Sequence, residues 1–117
     1  MLERNLAAMS RSTRVRVVQG VAPAVLADLP KPDAVFLGGT GGQLRAILAA
    51  SADVLAPGGR IVANLVTLDR VSAMLAWAHD HGYDAELVQV SIARGAEIAG
   101  QTRLEAQNPV FIVTVTR

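Results

Sequence analysis

Four glycines around one threonine, at residues 38–42, form the segment of this sequence best suited to binding a ligand. Gly38 is the last residue of an almost continuous apolar run, residues 33–38, and a helical pattern begins near Gly42. In an open α/β sheet, the loop between a buried strand and the next helix lines the ligand crevice. Glycines allow close approach of a ligand, and free amides at a helix start favour an anion. We therefore predict a binding loop, with a flexible turn as the alternative.

The glycine segment matches neither of two common phosphate-binding patterns. Counting from Gly39 through Gly41 puts Leu44 where a dinucleotide-binding loop has its third glycine. No Lys-Ser or Lys-Thr pair follows, as a P-loop requires. The pattern indicates a crevice without specifying a nucleotide.

Four further polar residues are candidates for the same crevice. Asn64 and Thr67 follow a predicted strand at its carboxyl edge, although Asn64 could satisfy backbone groups and Thr67 could serve only as a helix N-cap. Arg94 and Arg103 could each hold a carboxylate in bidentate fashion, and the alternative is two solvated loop arginines.

Other ionisable residues lack the spacing of a catalytic or metal site. His79 and His81 are two positions apart on a predicted helix, so they point in different directions and cannot share a metal. Asp69, Asp80 and Asp84 form no pair of the kind used in acid-base catalysis. We predict no metal site and assign no catalytic residue.

Alternating strands and helices must position these residues, as in a parallel sheet covered by helices. We expect a brief helical stretch after Pro23 and longer helices after Gly42 and Thr67. Residues 2–9 have helical composition. The predicted strands of this part are residues 14–19, 33–38 and 60–65, with the second buried on both faces near the sheet centre.

The last third of the chain has a different pattern. Val88, Val90 and Ile92 alternate with polar residues, which indicates a strand that is less completely covered. Residues 110–116 form the final predicted strand, and an antiparallel closing pair follows because no helical pattern separates the two. The connection, residues 93–108, is predicted to be a long loop, functional or mobile, that carries both arginines.

Composition narrows the class of protein. Hydrophobic residues make up 51% of the 117 residues, charged residues make up 18%, and the net charge is +1, so we expect a folded domain and no nucleic-acid partner. The chain has no cysteine, so it can form neither a disulfide nor a thiolate metal site. No apolar run approaches the roughly 20 residues that cross a bilayer. We expect a soluble, cytoplasmic protein.

Several short blocks lie in order along nearly the whole chain: residues 17–23, 32–39, 57–64, 66–68, 90–95 and 108–113. Together they resemble the C15-methylating, decarboxylating domain of precorrin-6Y C5,15-methyltransferase, an enzyme of cobalamin biosynthesis. The combination of blocks is fairly specific to that family.

This resemblance implies an α/β fold, a Rossmann-like class I S-adenosylmethionine-dependent methyltransferase sheet. The chain is similar to strands three to seven of that sheet, including its antiparallel C-terminal pair. The family's glycine-rich loop after strand one and its acidic ribose-binding residue after strand two have no match here, and Val21 stands where many members carry an acid. Residues 1–117 are thus expected to be the C-terminal part of a single methyltransferase domain.

The implied activity is C15 methylation and acetate decarboxylation of a precorrin, with S-adenosylmethionine as cofactor. The implied partners are the tetrapyrrole and either further copies of this chain or a chain or domain that supplies missing strands. A split or non-catalytic fragment and another small-molecule methyltransferase remain alternatives. The resemblance implies that the cofactor contacts Gly20, Ala22, Pro23, Gly38 and Gly39, and that the substrate contacts Gly41, Asn64, Thr67, Arg94 and Arg103.

Overall fold

The computed structural model describes residues 18–22, 24–39 and 42–117, together with Arg4 and Val15. The predicted helix over residues 2–9 and the predicted strand over residues 14–19 fall almost entirely outside the described residues. The described elements are a 3₁₀ helix Ala24–Asp28, β1 Ala34–Leu37, α1 Leu44–Val54, β2 Arg60–Leu65, α2 Leu68–Asp80, β3 Asp84–Val90, β4 Ala93–Ile98, β5 Gln101–Ala106 and β6 Val110–Thr116.

The strands form a four-stranded mixed sheet in the order β1-β2-β6-β3 and a separate two-stranded sheet of β4 and β5. β1 and β2 are parallel, with Val35 opposite Ile61. β6 is antiparallel to both of its neighbours, so that Val113 lies between Ala63 and Leu87. The α/β class and the antiparallel C-terminal pair predicted from the sequence are confirmed.

The hydrophobic core lies between one face of the larger sheet and the helices α1 and α2. Every second residue of a strand points to the same face, and in β2 and β6 these residues are buried. Their burial, at about 25 cal/mol per Å² of apolar surface, fixes which face the helices cover. The central members of this core are Leu48, Ile61, Ala63, Met74, Val113 and Val115.

The opposite face of the sheet is only partly covered among the described residues. Phe36 is 68% exposed there, and Val62 and Ile112 are half-buried. The prediction that β1 is buried on both faces is therefore wrong at Phe36. Its place near the sheet centre stays a prediction, because another predicted strand, residues 14–19, lies almost entirely outside the described residues. A short apolar run shows that a strand is present but does not show which of its faces other elements cover.

Both long helices begin and end where the sequence indicates. α1 ends before Pro57, and Gly58 in the following turn has a φ of +75°, a conformation that favours glycine. At the start of α2, the Thr67 hydroxyl accepts a hydrogen bond from the Arg70 backbone N–H at 3.3 Å, and Gly82 after its end has a φ of +71°. Within the described ranges, no helix is long and apolar enough to span a membrane.

The buried stripe of α2 agrees with the prediction except at two positions. Val71, Met74 and Ala78 are buried as expected, while Leu75 is only half-buried. Trp77, which the prediction omitted, is 3% exposed. Its ring stacks on His81, with a distance of 4.5 Å between the ring centroids.

The prediction of a long loop over residues 93–108 is wrong, because β4 and β5 form a β-hairpin there. Its two turn residues, Ala99 and Gly100, have φ angles of 52° and 76°, so both have the positive φ that a type I′ hairpin turn requires. Asparagine or aspartate usually precedes the glycine in such a turn, and alanine gives no such signal. The turn was therefore not recognisable from residue types.

We expect Thr67→Ala to lower the free energy of unfolding by about 1 kcal/mol, because it removes the oxygen that accepts a hydrogen bond at the start of α2. Thr67→Ser keeps that oxygen and should retain most of the stability. Urea denaturation followed by circular dichroism measures both variants. Equal losses in the two variants would show that the methyl group, and not the cap, is what stabilises the helix.

Candidate functional site

The candidate crevice lies at the carboxyl edge of the parallel strands β1 and β2. Leu37 pairs with Ala63, so the next residue of each strand, Gly38 and Asn64, comes level at this edge. The chain leaves β1 toward α1 and leaves β2 toward α2, and both helices pack on the same face of the sheet. The two connections therefore begin at neighbouring positions of one sheet edge, as at the ligand crevice of an open α/β sheet.

Gly38 and Gly39 have open space around them. A Cβ added at either residue would meet no atom within 4 Å, and neither residue has a positive φ. By contrast, a Cβ at Gly59 would lie 2.6 Å from Leu55 Cγ, so packing alone explains that glycine. Neither packing nor backbone conformation among the described residues requires glycine at positions 38 and 39, which leaves this backbone accessible to a ligand.

The other glycines and small residues predicted for the crevice have mixed positions. Gly41 and Pro23 lie outside the described residues. A Cβ at Gly20 would lie 3.0 Å from Val25 Cγ2, so close packing gives this glycine a structural role. Ala22 is half-buried and packs against the hydrophobic core.

The two polar residues after β2 point in different directions. Asn64 is exposed, and it alternates with the buried Ala63 and Leu65, so its side chain lies on the face away from the helices. The oxygen of Thr67 caps α2, which is the structural role that the sequence left open. Its O–H group can still donate a hydrogen bond, because the oxygen acts as the acceptor in the cap.

A cavity of about 390 Å³ lies at the base of the hairpin and contains one of the two predicted arginines. Arg94 lines it, together with apolar residues that follow β2 and flank β3 and β6. The apolar lining residues are Val66, Val90, Ile92 and Val110. The cavity thus combines an apolar wall with one arginine and two amide side chains, those of Gln107 and Asn108.

Arg103 lies on the same face of the hairpin as Arg94 but does not line this cavity. Arg94 pairs across the hairpin with Glu105, and Arg103 is two residues from Glu105, so the two arginines are diagonal neighbours. Both side chains are exposed. The structure therefore brings the arginines onto one surface, with Arg103 further out along the hairpin.

A second cavity, of about 510 Å³, lies between the first turns of α1 and α2. Arg45 from α1 and Arg70 from α2 line it, together with Asp69. Neither arginine was among the residues predicted for the site. The available signal was positional, since each arginine lies in the first turn of a helix that follows one of two neighbouring parallel strands.

The histidines lie at the far end of α2 from the crevice. His79 Nδ1 is 3.6 Å from Asp80 Oδ1, and the His79 side chain is 90% exposed. His81 Nδ1 lies 2.8 Å from the Trp77 carbonyl oxygen. The two rings thus have separate surroundings.

Comparison with known proteins identifies the family. The sequence profile of the precorrin methyltransferase domain matches residues 1–117. A probable cobalt-precorrin-6B C(15)-methyltransferase (decarboxylating) from Pyrobaculum calidifontis is 40% identical over 114 residues, which cover 97% of this chain and 58% of that protein. The crystal structure of precorrin-6Y C5,15-methyltransferase from Geobacter metallireducens has a TM-score of 0.86 and 37% identity, covering 98% of this chain and 60% of that one.

A more distant structure is similar to this chain in its fold only. A SAM-dependent O-methyltransferase from Thermotoga maritima has a TM-score of 0.68 and 18% identity, covering 97% of this chain and 43% of that one. The chain spans 58% of the length of its Pyrobaculum relative and 60% of the Geobacter structure. With the whole chain matched by the profile, this protein belongs to the precorrin methyltransferase domain family and has a class I methyltransferase fold.

Proposed function

We propose that this chain takes part in the S-adenosylmethionine-dependent methylation of C15 of a precorrin and the loss of carbon dioxide from its acetate side chain, in cobalamin biosynthesis. The observation that carries the proposal is the open glycine backbone at the carboxyl end of β1, in a chain whose relatives are named for this reaction. We also propose that residues 1–117 act as the C-terminal part of a single methyltransferase domain, since they span 58% of the Pyrobaculum relative.

The described residues fit a cofactor beside β1. Gly38 and Gly39 leave space that a side chain would fill, so a ligand can approach their backbone closely. Gly20, Ala22 and Pro23 precede the 3₁₀ helix Ala24–Asp28 in sequence and are our candidates for the residues that flank the adenine. When bound, S-adenosylmethionine supplies the electrophilic methyl group.

The substrate is proposed to lie across the ends of β2 and the base of the hairpin. The apolar wall beside Val66 and Val110 suits the macrocycle, and Arg94 in the same cavity suits one of its carboxylates. Arg103 would hold a second carboxylate from the outer part of the hairpin. Gly41, Asn64 and Thr67 are the remaining candidates for substrate contact.

The main catalytic task of these residues is positioning. Transfer of a methyl group to carbon requires the donor and acceptor atoms in line, and correct placement alone can lower the barrier by several kcal/mol, about 7–11 in the best-oriented cases. In the decarboxylation, the bond between the acetate methylene carbon and its carboxyl carbon breaks. Carbon dioxide leaves, the conjugated macrocycle takes up the electron pair of that bond, and a proton from solvent then adds to the methylene carbon to give a methyl group.

The edge of β1 supports the further proposal that other strands complete the sheet. Among the described residues, β1 pairs with β2 alone, so no described strand takes up the backbone N–H and C=O groups of its other edge. A second copy of this chain, or another chain or domain, could pair there. This is also the observation that favours a split methyltransferase as the alternative function.

We expect sedimentation velocity to show association that increases with protein concentration, and a monomer at every concentration would contradict self-association.

We expect calorimetric titration of the chain with S-adenosylhomocysteine to show binding. Gly39→Val should weaken the affinity for S-adenosylhomocysteine by about tenfold or more, because the new side chain fills the ligand space. Gly95→Val is the matched control, since a Cβ there makes an ordinary 3.6 Å contact within the hairpin. Equal affinity of the Gly39 variant and the control would overturn the cofactor site. No binding by the folded unmodified chain would show that the cofactor requires a partner.

We expect methyl incorporation into a precorrin to be accompanied by release of carbon dioxide. We expect Arg94→Gln to raise the KM for the precorrin by about tenfold with little change in kcat. The reason is that the guanidinium binds a carboxylate that does not react. Arg60→Gln, at the opposite end of β2, is the control. Methylation of a different small acceptor, with none of the precorrin, would favour another methyltransferase.

A further inference from the structure

Two separate cavities flank the connection between β2 and α2. Val66, directly after β2, lines the cavity that contains Arg94. Asp69 and Arg70, three and four residues later, line the cavity between the helices. Arginine side chains are therefore present on both sides of this short connection, and only the Arg94 side has so far been given a ligand.

The helix-side cavity is lined by two arginines, Arg45 and Arg70, which form no ion pair with another residue in the described ranges. Arg45 is exposed and Arg70 is half-buried, and neither lies within 4.0 Å of a carboxylate oxygen there. They come from different helices, and α1 and α2 pack directly against each other. Their backbone positions are therefore fixed relative to each other, which reduces the entropy lost when both hold one ligand.

We propose that Arg45 and Arg70 form a second carboxylate-binding site for the same acidic substrate, on the other side of the β2–α2 connection from Arg94. The inference rests on the proposed function, because it takes the substrate to be a flat molecule with carboxylates around its rim. Val66 lines the hairpin cavity and Asp69 and Arg70, three and four residues later, line the other, so a molecule of that shape lying over this short connection would direct carboxylates toward both. The planar guanidinium group matches a carboxylate with two parallel hydrogen bonds, so arginine suits this task better than lysine.

Asp69 provides an internal test of this site. It lines the same cavity, so its negative charge would repel a bound carboxylate and offset part of the attraction of the arginines. Removing that charge should therefore strengthen binding, whereas removing either arginine should weaken it. Opposite effects from neighbouring residues distinguish a specific site from a loss of structure.

The experiment measures binding of uroporphyrin, a planar tetrapyrrole polycarboxylate, to the purified chain by fluorescence titration in low salt. We expect Arg45→Gln and Arg70→Gln each to weaken binding by roughly fivefold and Asp69→Asn to strengthen it by about two- to threefold. Arg60→Gln is the charge-matched control far from the crevice. The octamethyl ester of uroporphyrin, which lacks the charges, should bind all variants equally. Circular dichroism checks that each variant is folded.

Two results would overturn the proposal. One is equal uroporphyrin affinity in the Arg45, Arg70 and Arg60 variants, which would leave the proposed methyl transfer intact. The other is no binding of uroporphyrin by the unmodified chain. If instead the expected pattern of affinities is found but a precorrin is not methylated, the carboxylate site stands and the proposed function fails, so the two proposals can be judged separately.

Discussion

The pairing of β6 on both of its edges is the interaction on which the rest of this structure depends. β6 forms an antiparallel ladder with β2 on one side and with β3 on the other. Its alternate residues Phe111, Val113 and Val115 are buried beneath the helices, so the strand contributes hydrogen bonds and apolar burial together. Because β6 occupies one side of β2, β1 pairs on the other side. The two parallel strands then end together, next to Gly38 and Asn64.

The candidate site combines a rigid part and a projecting part. Gly38, Asn64 and the helix starts are held by the parallel strands and by the packing of α1 against α2. Arg94 belongs instead to the hairpin, which forms its own sheet and is exposed along most of its length. A cofactor that must be held in one orientation suits the first part, and a large substrate that must enter and leave suits the second.

Much of the fold could be predicted because its signals are local. β2 and β6 have the predicted bounds, and Thr67 and Gly82 mark the ends of α2 through capping chemistry that depends on neighbouring residues alone. The hairpin was missed because Ala99 gives no turn signal. The exposed face of β1 and the cavity between Arg45 and Arg70 depend on which elements meet in space, and the periodicity of a single segment does not contain that information.

The position of β6 also affects how the chain must fold during synthesis. β6 follows β3, β4 and β5 in sequence, yet it separates β2 from β3 in the sheet. While the ribosome is still translating the hairpin, one edge of β2 and the whole of β3 have no partner. The nascent chain therefore exposes strand edges beside an apolar surface until Val110–Thr116 emerges, and these are the conditions under which chaperones bind and under which aggregation begins.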